Sequence, residues 1–168
     1  VTCRCTAQIA DGNLMNKTII ALLLSLGSLS AHATLDPAQV RQLAAEDSTD
    51  KVAAIRQLTQ TADPDAVRVL KAMAEDSLFL AGDKVVIIDG DKAFDGTTGE
   101  TTKMPASPEN VTVNNRIRGE LSSALAALKL FDSDVAVRLA SAQKLQSQVT
   151  PEMAPLLARA LEKESDGQ

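Results

Sequence analysis

The chain has 168 residues, 45% of them hydrophobic, a formal net charge of −5, and neither Trp nor Tyr. The negative charge argues against a protein that binds nucleic acid or anionic lipid headgroups. The single histidine is His32 and the two cysteines are Cys3 and Cys5. Beyond residue 33 there is therefore no imidazole or thiol for nucleophilic catalysis or zinc binding. We expect a non-enzymatic domain without cofactor or metal.

The first 33 residues have the pattern of an export signal preceded by an upstream segment. Residues 1–14 come before Met15 and are expected to reflect a start codon assigned too early. Residues 15–33 form a predicted signal peptide, with a basic start, the apolar run Thr18–Leu29 and the small residues Ala31-His32-Ala33. The apolar run has about a dozen residues, fewer than the roughly 20 that span a bilayer. A retained N-terminal anchor is the alternative. Without residues 1–33 the formal charge becomes −6, since Arg4, Lys17 and Asp11 are removed.

Residues 34–76 are predicted to form a first helical half. Asp36 is a candidate cap for a first helix that has Pro37 at its first position. A second helix is predicted from near Asp50 to Thr61, and Asp63-Pro64 repeats the start signal for a third. The apolar residues that follow helical spacing are Val40, Leu43, Val52, Ile55, Leu58, Val67, Leu70 and Met73.

Residues 77–113 are predicted to form a β-strand and turn insert. The β-branched segment Lys84–Ile88 predicts a strand, and Leu78–Leu80 is a candidate partner strand in a small hairpin or a three-stranded patch. The acidic segment Asp89–Glu100 has two interpretations, a calcium loop or a series of structural turns. Ala93 and Phe94 occupy the fifth and sixth loop positions, where an EF-hand needs an oxygen ligand and a glycine. Structural turns are therefore favoured.

Residues 114–165 are predicted to form a second helical half that resembles the first. A long helix is predicted to begin after Asn114 or Asn115, and its apolar face contains Ile117, Leu121, Leu125, Leu128 and Phe131. Residues 138–162 align with residues 51–75 without a gap, and Thr150-Pro151 then corresponds to Asp63-Pro64. Pro155 predicts either a kink in the last helix or a later helix start.

These elements predict a mainly α-helical fold. Each half would consist of one helix followed by an antiparallel helical pair, as in HEAT-like repeats, where neighbouring pairs bury faces that one unit cannot bury alone. The two similar halves would be separated by the small β-hairpin and loop insert.

One polar segment is a candidate protein-contact site. Asn114, Asn115, Arg116 and Arg118 place two amides and two guanidinium groups at a helix start. A partner protein is one interpretation of this segment. Helix capping by the asparagines and salt bridges from the arginines to the acid-rich insert is the other.

The chain from about residue 15 to 165 resembles the N-terminal extracytoplasmic extension of the urea ABC transporter permease family, relatives of branched-chain amino-acid permeases. The resemblance rests on the signal-like start, VVIIDGD at 85–91, DGTTGE at 95–100, and VNNRIR at 113–118 followed by LSSALAALKLFDSDVAVRLASAQKL at 121–145. It implies a periplasmic domain of an inner-membrane protein that takes part in urea uptake. The implied partners are the other transporter subunits and the periplasmic binding protein.

Permeases of this family continue into membrane helices, which residues up to Gln168 do not contain. We therefore expect the chain to be either a fragment cut at the domain boundary or a stand-alone copy, in contact with the membrane only through the missing permease part. The expected role is assembly of the transporter or docking of its binding protein. A free periplasmic HEAT-like adaptor for another protein is the alternative.

Overall fold

The computed structural model describes residues 34–165, so the predicted upstream segment and signal peptide lie outside the described residues. More than half of residues 34–165 are helical, and the remainder includes a small antiparallel sheet. The described fold is therefore a mixed α/β one. Its helices are α1 (Pro37–Gln42), α2 (Ser48–Thr61), α3 (Pro64–Ala74), α4 (Asn115–Leu128), α5 (Val135–Leu145) and α6 (Ala154–Lys163), with 3₁₀ turns at Lys129–Phe131 and Pro151–Met153.

The helix starts in the first half follow the predicted capping chemistry. The Asp36 carboxylate accepts a hydrogen bond from the Ala38 N–H at 2.9 Å, and Pro37 is the first residue of α1. Asp63 accepts from the Asp65 N–H at 2.8 Å, and Pro64 is the first residue of α3. These predictions are confirmed, because each carboxylate accepts from one of the N–H groups that the first helical turn leaves unpaired.

The insert forms one five-stranded antiparallel sheet. Its strands are β1 (Leu78–Ala81), β2 (Lys84–Asp89), β3 (Lys92–Asp95), β4 (Thr101–Thr102) and β5 (Glu109–Asn110), in the order β4-β3-β2-β1-β5. The predicted hairpin is confirmed as β1 and β2, which are joined at Gly82. Strand β5 pairs with the outer edge of β1, with Phe79 opposite Asn110. The end of the insert therefore returns to its beginning.

The acidic segment Asp89–Glu100 is built from strands and turns. Asp89 ends β2, and the next strand begins at Lys92 after a turn at Gly90. Asp95 ends β3, and its carboxylate accepts from the N–H groups of Thr97 at 2.8 Å and Thr98 at 3.1 Å. The structural-turn interpretation is confirmed.

Helix α4 contributes to both apolar clusters that the described residues form. Its residues Ile117, Leu121 and Leu128 belong to the larger cluster, which also includes side chains of α1, α2, α3 and the sheet. Ala126 and Ala127 belong to a smaller cluster with Leu145 of α5 and Leu156 of α6. Removing α4 would therefore expose apolar side chains of both clusters.

The last helical pair departs from the first at its second helix. Thr150 makes no side-chain capping hydrogen bond, so the expected equivalence with the Asp63 cap is wrong. Pro151–Met153 form a 3₁₀ turn, and α6 begins only at Ala154 with Pro155 in its first turn. The later helix start anticipated from Pro155 is confirmed. Proline lacks a backbone N–H, and in the first turn of a helix this costs nothing, because N–H groups there have no carbonyl acceptor within the helix.

The central position of α4 predicts a large stability cost for shortening its buried side chains. Leu121 has no exposed surface, so Leu121→Ala should lower the free energy of unfolding by about 2–5 kcal/mol in urea denaturation. Leu161→Ala is the control, since Leu161 is 78% exposed, and it should change that energy by less than about 0.5 kcal/mol. Equal losses in both variants would contradict the assignment of α4 to the core.

Candidate functional site

The predicted contact segment at 114–118 lies where α4 meets α2. Asn114 caps α4, because its Oδ1 accepts from the Ile117 N–H at 2.9 Å. Its Nδ2 donates to the Ser48 hydroxyl at the start of α2, also at 2.9 Å. Asn114 is therefore occupied in joining two helix starts within the domain.

The other three residues of the segment are exposed. Arg118 donates through Nη2 to both carboxylate oxygens of Asp76, at 3.1 and 2.9 Å, so it links α4 to the turn before β1. The side chains of Asn115 and Arg116 make no hydrogen bond or ion pair with residues 34–165. Within the described chain, the side chains of Asn115 and Arg116 are therefore open to a partner, and Arg118 keeps the guanidinium nitrogens that do not bond Asp76.

A groove between α5 and α6, here called the terminal groove, carries exposed apolar side chains. Its volume is about 240 Å³. Val135 and Leu139 of α5 are 45% and 43% exposed, and Leu161 of α6 is 78% exposed. At one end the groove is bounded by a two-bonded ion pair between Arg138 and Glu164, with both N–O distances 2.7 Å. The ion pair connects α5 to the residue that follows the end of α6.

The equivalent surface in the first half is covered. In the alignment of residues 51–75 with 138–162, Val52 corresponds to Leu139 and Ile55 to Ala142. Val52 and Ile55 are buried in the larger cluster. Ser48 and Arg56, which flank them on α2, contact Asn114 and Glu120 of α4. Helix α4 thus covers in the first half the face that stays open in the second.

A second groove lies between α4 and α5 and is lined by cationic side chains. It has a volume of about 440 Å³, and Arg118, Lys129 and Lys144 line it together with the hydroxyl residues Ser122 and Ser141. We call it the basic groove. It is a local positive feature on a chain whose net charge is negative.

The loop at 95–100 is tied to α3 through Arg68. The Arg68 guanidinium pairs with Asp65, and its Nε and Nη2 atoms are buried without a hydrogen-bond partner among residues 34–165. Gly99, with φ of +75°, lies so close to this guanidinium that a Cβ there would overlap it. Gly96 donates its N–H to the Val85 carbonyl at 2.9 Å, which closes the loop against β2.

The sequence pattern did not reveal the two grooves. Leu139 and Leu161 follow the helical spacing of core residues, and only the structure shows that nothing in residues 34–165 covers them. The repeat alignment contains a usable signal, because it pairs Leu139 with a position that α4 covers. Lys129 and Lys144 are ordinary residues near helix ends, so no local pattern marked them.

Residues 34–165 contain no group of three or more His, Cys, Asp and Glu side chains arranged to hold a metal ion. None of the helices in the same range has the length and apolar composition needed to cross a bilayer. Comparison of the chain with protein-family models, with characterised proteins and with solved structures found no match.

The space around Gly96 and Gly119 predicts opposite effects on stability when each is replaced by alanine. A Cβ at Gly96 would lie 2.8 Å from the backbone oxygen of Val85, which cannot move without distorting β2. Gly96→Ala should therefore cost about 1–3 kcal/mol of unfolding free energy. Gly119→Ala in α4 meets nothing within 4 Å and should instead stabilise by about 0.5–1 kcal/mol. Chemical denaturation measures both, and a loss at Gly119 or no loss at Gly96 would contradict these contacts.

The cap of α2 predicts a pH-dependent stability. Hydrogen bonds from the N–H and hydroxyl of Thr49 lower the pKa of Asp47 below its usual 3.8, and the charge of Arg116 acts weakly in the same direction. A lowered folded-state pKa stabilises the fold above the unfolded-state pKa, and this contribution is lost as the pH falls through the folded-state value. Asp47→Asn keeps a capping side chain but cannot ionise. Its Tm should fall less than that of the wild type between about pH 5 and pH 3.

Asp91→Asn is the matched control for this experiment, because it removes one carboxylate from the exposed β2–β3 turn. If both variants change the pH dependence of Tm equally, general loss of negative charge is responsible and the cap is not.

Proposed function

We propose that this domain is the extracytoplasmic part of a urea ABC transporter permease subunit and that it acts as a non-catalytic docking element. The segments that carry the family resemblance supply defined structural parts. VVIIDGD forms most of β2 and the turn after it, DGTTGE forms the loop packed on Arg68, and VNNRIR forms the capped start of α4. The proposed partners are the other transporter subunits and the periplasmic binding protein.

The terminal groove is the single observation that carries the docking role. Three large apolar side chains on adjacent helices remain exposed there, and exposed apolar surface of this kind is typical of protein interaction sites. The corresponding face of the first half is covered by α4, a helix with an apolar stripe. The expected occupant of the groove is therefore an amphipathic helix of a transporter component.

We also propose that α2–α3 and α5–α6 are two HEAT-like helical pairs. Leu58 and Leu145 are buried at equivalent positions, as are Val69 and Leu156, and Ala66 and Met153. In such repeats each pair buries its open face against the next unit. The open terminal groove on α5–α6 fits that arrangement, because a partner protein would take the position that the next repeat unit occupies in a longer array.

A non-catalytic role is supported by how the acidic side chains are used. Asp36, Asp47, Asp63 and Asp134 each accept a backbone N–H at a helix start. Glu120 pairs with Arg56, at 2.8 Å from its Nε, and Glu164 pairs with Arg138. These carboxylates serve local structure, and they are spread over several elements instead of converging in one cleft.

The alternative is a free periplasmic adaptor that presents the same groove to an unrelated protein. The two proposals predict different DNA sequences after the codon for Gln168. An open frame encoding membrane helices supports the permease subunit, and a stop codon supports the adaptor.

The docking role predicts that polar substitutions in the terminal groove weaken capture of transporter components. The full chain is immobilised and exposed to detergent-solubilised transporter subunits and, separately, to the purified periplasmic binding protein. Leu139→Ser with Leu161→Ser should reduce retention at least about tenfold, because both side chains would be buried at the centre of the contact.

Met104→Ser with Val149→Ser is the control pair, since Met104 and Val149 are also large, exposed apolar residues but do not line the groove. It should leave retention nearly unchanged. A wild-type chain that retains neither the subunits nor the binding protein would refute the proposed function.

A further inference from the structure

The basic groove collects hydrogen-bond donors that the described chain leaves unused. Lys129 and Lys144 line it, and neither ammonium group forms a hydrogen bond or ion pair with residues 34–165. Arg118 pairs with Asp76 through Nη2 alone, so its other guanidinium nitrogens remain available. Three cationic side chains thus border one concave surface, with a single carboxylate paired to one of them.

Two hydroxyl groups lie between these cations. Ser141 is only 5% exposed, and its hydroxyl makes no hydrogen bond with residues 34–165. The hydroxyl of Ser122, across the groove on α4, is likewise unpaired within the described chain. Neither oxygen is among the buried unpartnered side-chain atoms of residues 34–165, so both hydroxyls are accessible and free to donate to an acceptor in the groove.

The cations are distributed along the groove instead of meeting at one point. Arg118 and Lys129 are eleven residues apart along α4, which corresponds to about 16 Å of helix. Lys144 lines the same groove from α5. The three cations therefore border an elongated surface.

We propose that the basic groove binds an acidic segment of a partner protein, with carboxylates meeting Lys129, Lys144 and Arg118 in turn. An extended chain rises about 3.3 Å per residue, so about five residues span the roughly 16 Å between the helix positions of Arg118 and Lys129. The apolar residues Leu125 and Ala126 on the groove floor would contact the aliphatic parts of the same segment. The inference rests on the proposed function only in taking the occupant to be a protein.

The charge of the whole domain distinguishes a protein segment from other anionic ligands. Nucleic acids and anionic membranes present extended negative surfaces, which the net charge of −6 on residues 34–168 would repel outside the groove. A free phosphate is much shorter than the roughly 16 Å of α4 between Arg118 and Lys129. A short acidic segment matches the length of the groove and avoids the surrounding negative surface.

Helix dipoles are the simplest alternative reason for the two lysines. Lys144 lies in the last turn of α5 and Lys129 follows the last residue of α4, where positive charge is favourable. That effect accounts for a charge at each helix end. It does not account for Arg118, which lies in the first turn of α4 and borders the same groove.

The test measures binding of a labelled octapeptide of alternating Glu and Ala to the full chain by fluorescence anisotropy at low salt. We expect saturable binding that the Gln-Ala counterpart does not show. The NMR amide signals that shift on titration should include those of Ser122, Ser141 and Lys144. Lys129→Glu with Lys144→Glu should weaken binding by about tenfold or more, because two attractions become repulsions.

Lys84→Glu with Lys92→Glu is the matched control, since it makes the same charge change at two exposed lysines of the sheet. It should weaken binding by less than about twofold. Equal losses in the two pairs, absence of peptide binding, or full competition by inorganic phosphate would each overturn the proposal. So would tighter binding to phosphatidylglycerol vesicles than to the peptide.

The result is separable from that of the capture experiment. Peptide binding in the groove without retention of any transporter component would refute the proposed function and leave the acidic-segment site intact. Retention that survives Lys129→Glu with Lys144→Glu, together with no peptide binding, would refute the site and leave the proposed function intact.

Discussion

The structure depends on the burial of α4 between two sets of apolar side chains. One side of the helix places Ile117 and Leu121 against α2, α3 and the sheet, and the other places Ala126 and Ala127 against α5 and α6. The first cluster is much the larger, because α1, α2, α3 and the sheet all contribute side chains to it. Because apolar burial is the main favourable term in folding, the first half and the sheet carry most of the stability.

The same asymmetry explains where the candidate interaction surfaces lie. The smaller cluster covers only part of α5 and α6, so Leu139 and Leu161 remain exposed, and the first-half counterpart of Leu139, Val52, is covered by α4. The basic groove lies on the other side of α5. One helix, α5, therefore separates an apolar surface from a cationic one, and a partner that binds both would surround it.

Polar contacts hold the insert against the helices. The Lys51 ammonium donates to the Thr112 carbonyl at 2.8 Å, and desolvation of this nearly buried group lowers its pKa. The Asp76 carboxylate accepts a hydrogen bond from the Arg118 guanidinium, and the Asp76 backbone carbonyl accepts one from the Asn110 side-chain amide. These bonds fix both ends of the insert beside the start of α4. The segment 113–118 thus lies at the junction of sheet and helices.

Local sequence patterns were enough to predict the elements that short-range chemistry controls. These are the caps at Asp36 and Asp63, Asn114 as one of two candidate caps, the β1–β2 hairpin, and a later start of the last helix as one of two outcomes of Pro155. The partner of each face could not be read in this way, because Val52 and Leu139 have the same local pattern. Burial of one and exposure of the other depend on the path of α4. Likewise, Lys129, Lys144 and Arg118 come to one groove because α4 packs beside α5, and no local pattern specifies that packing.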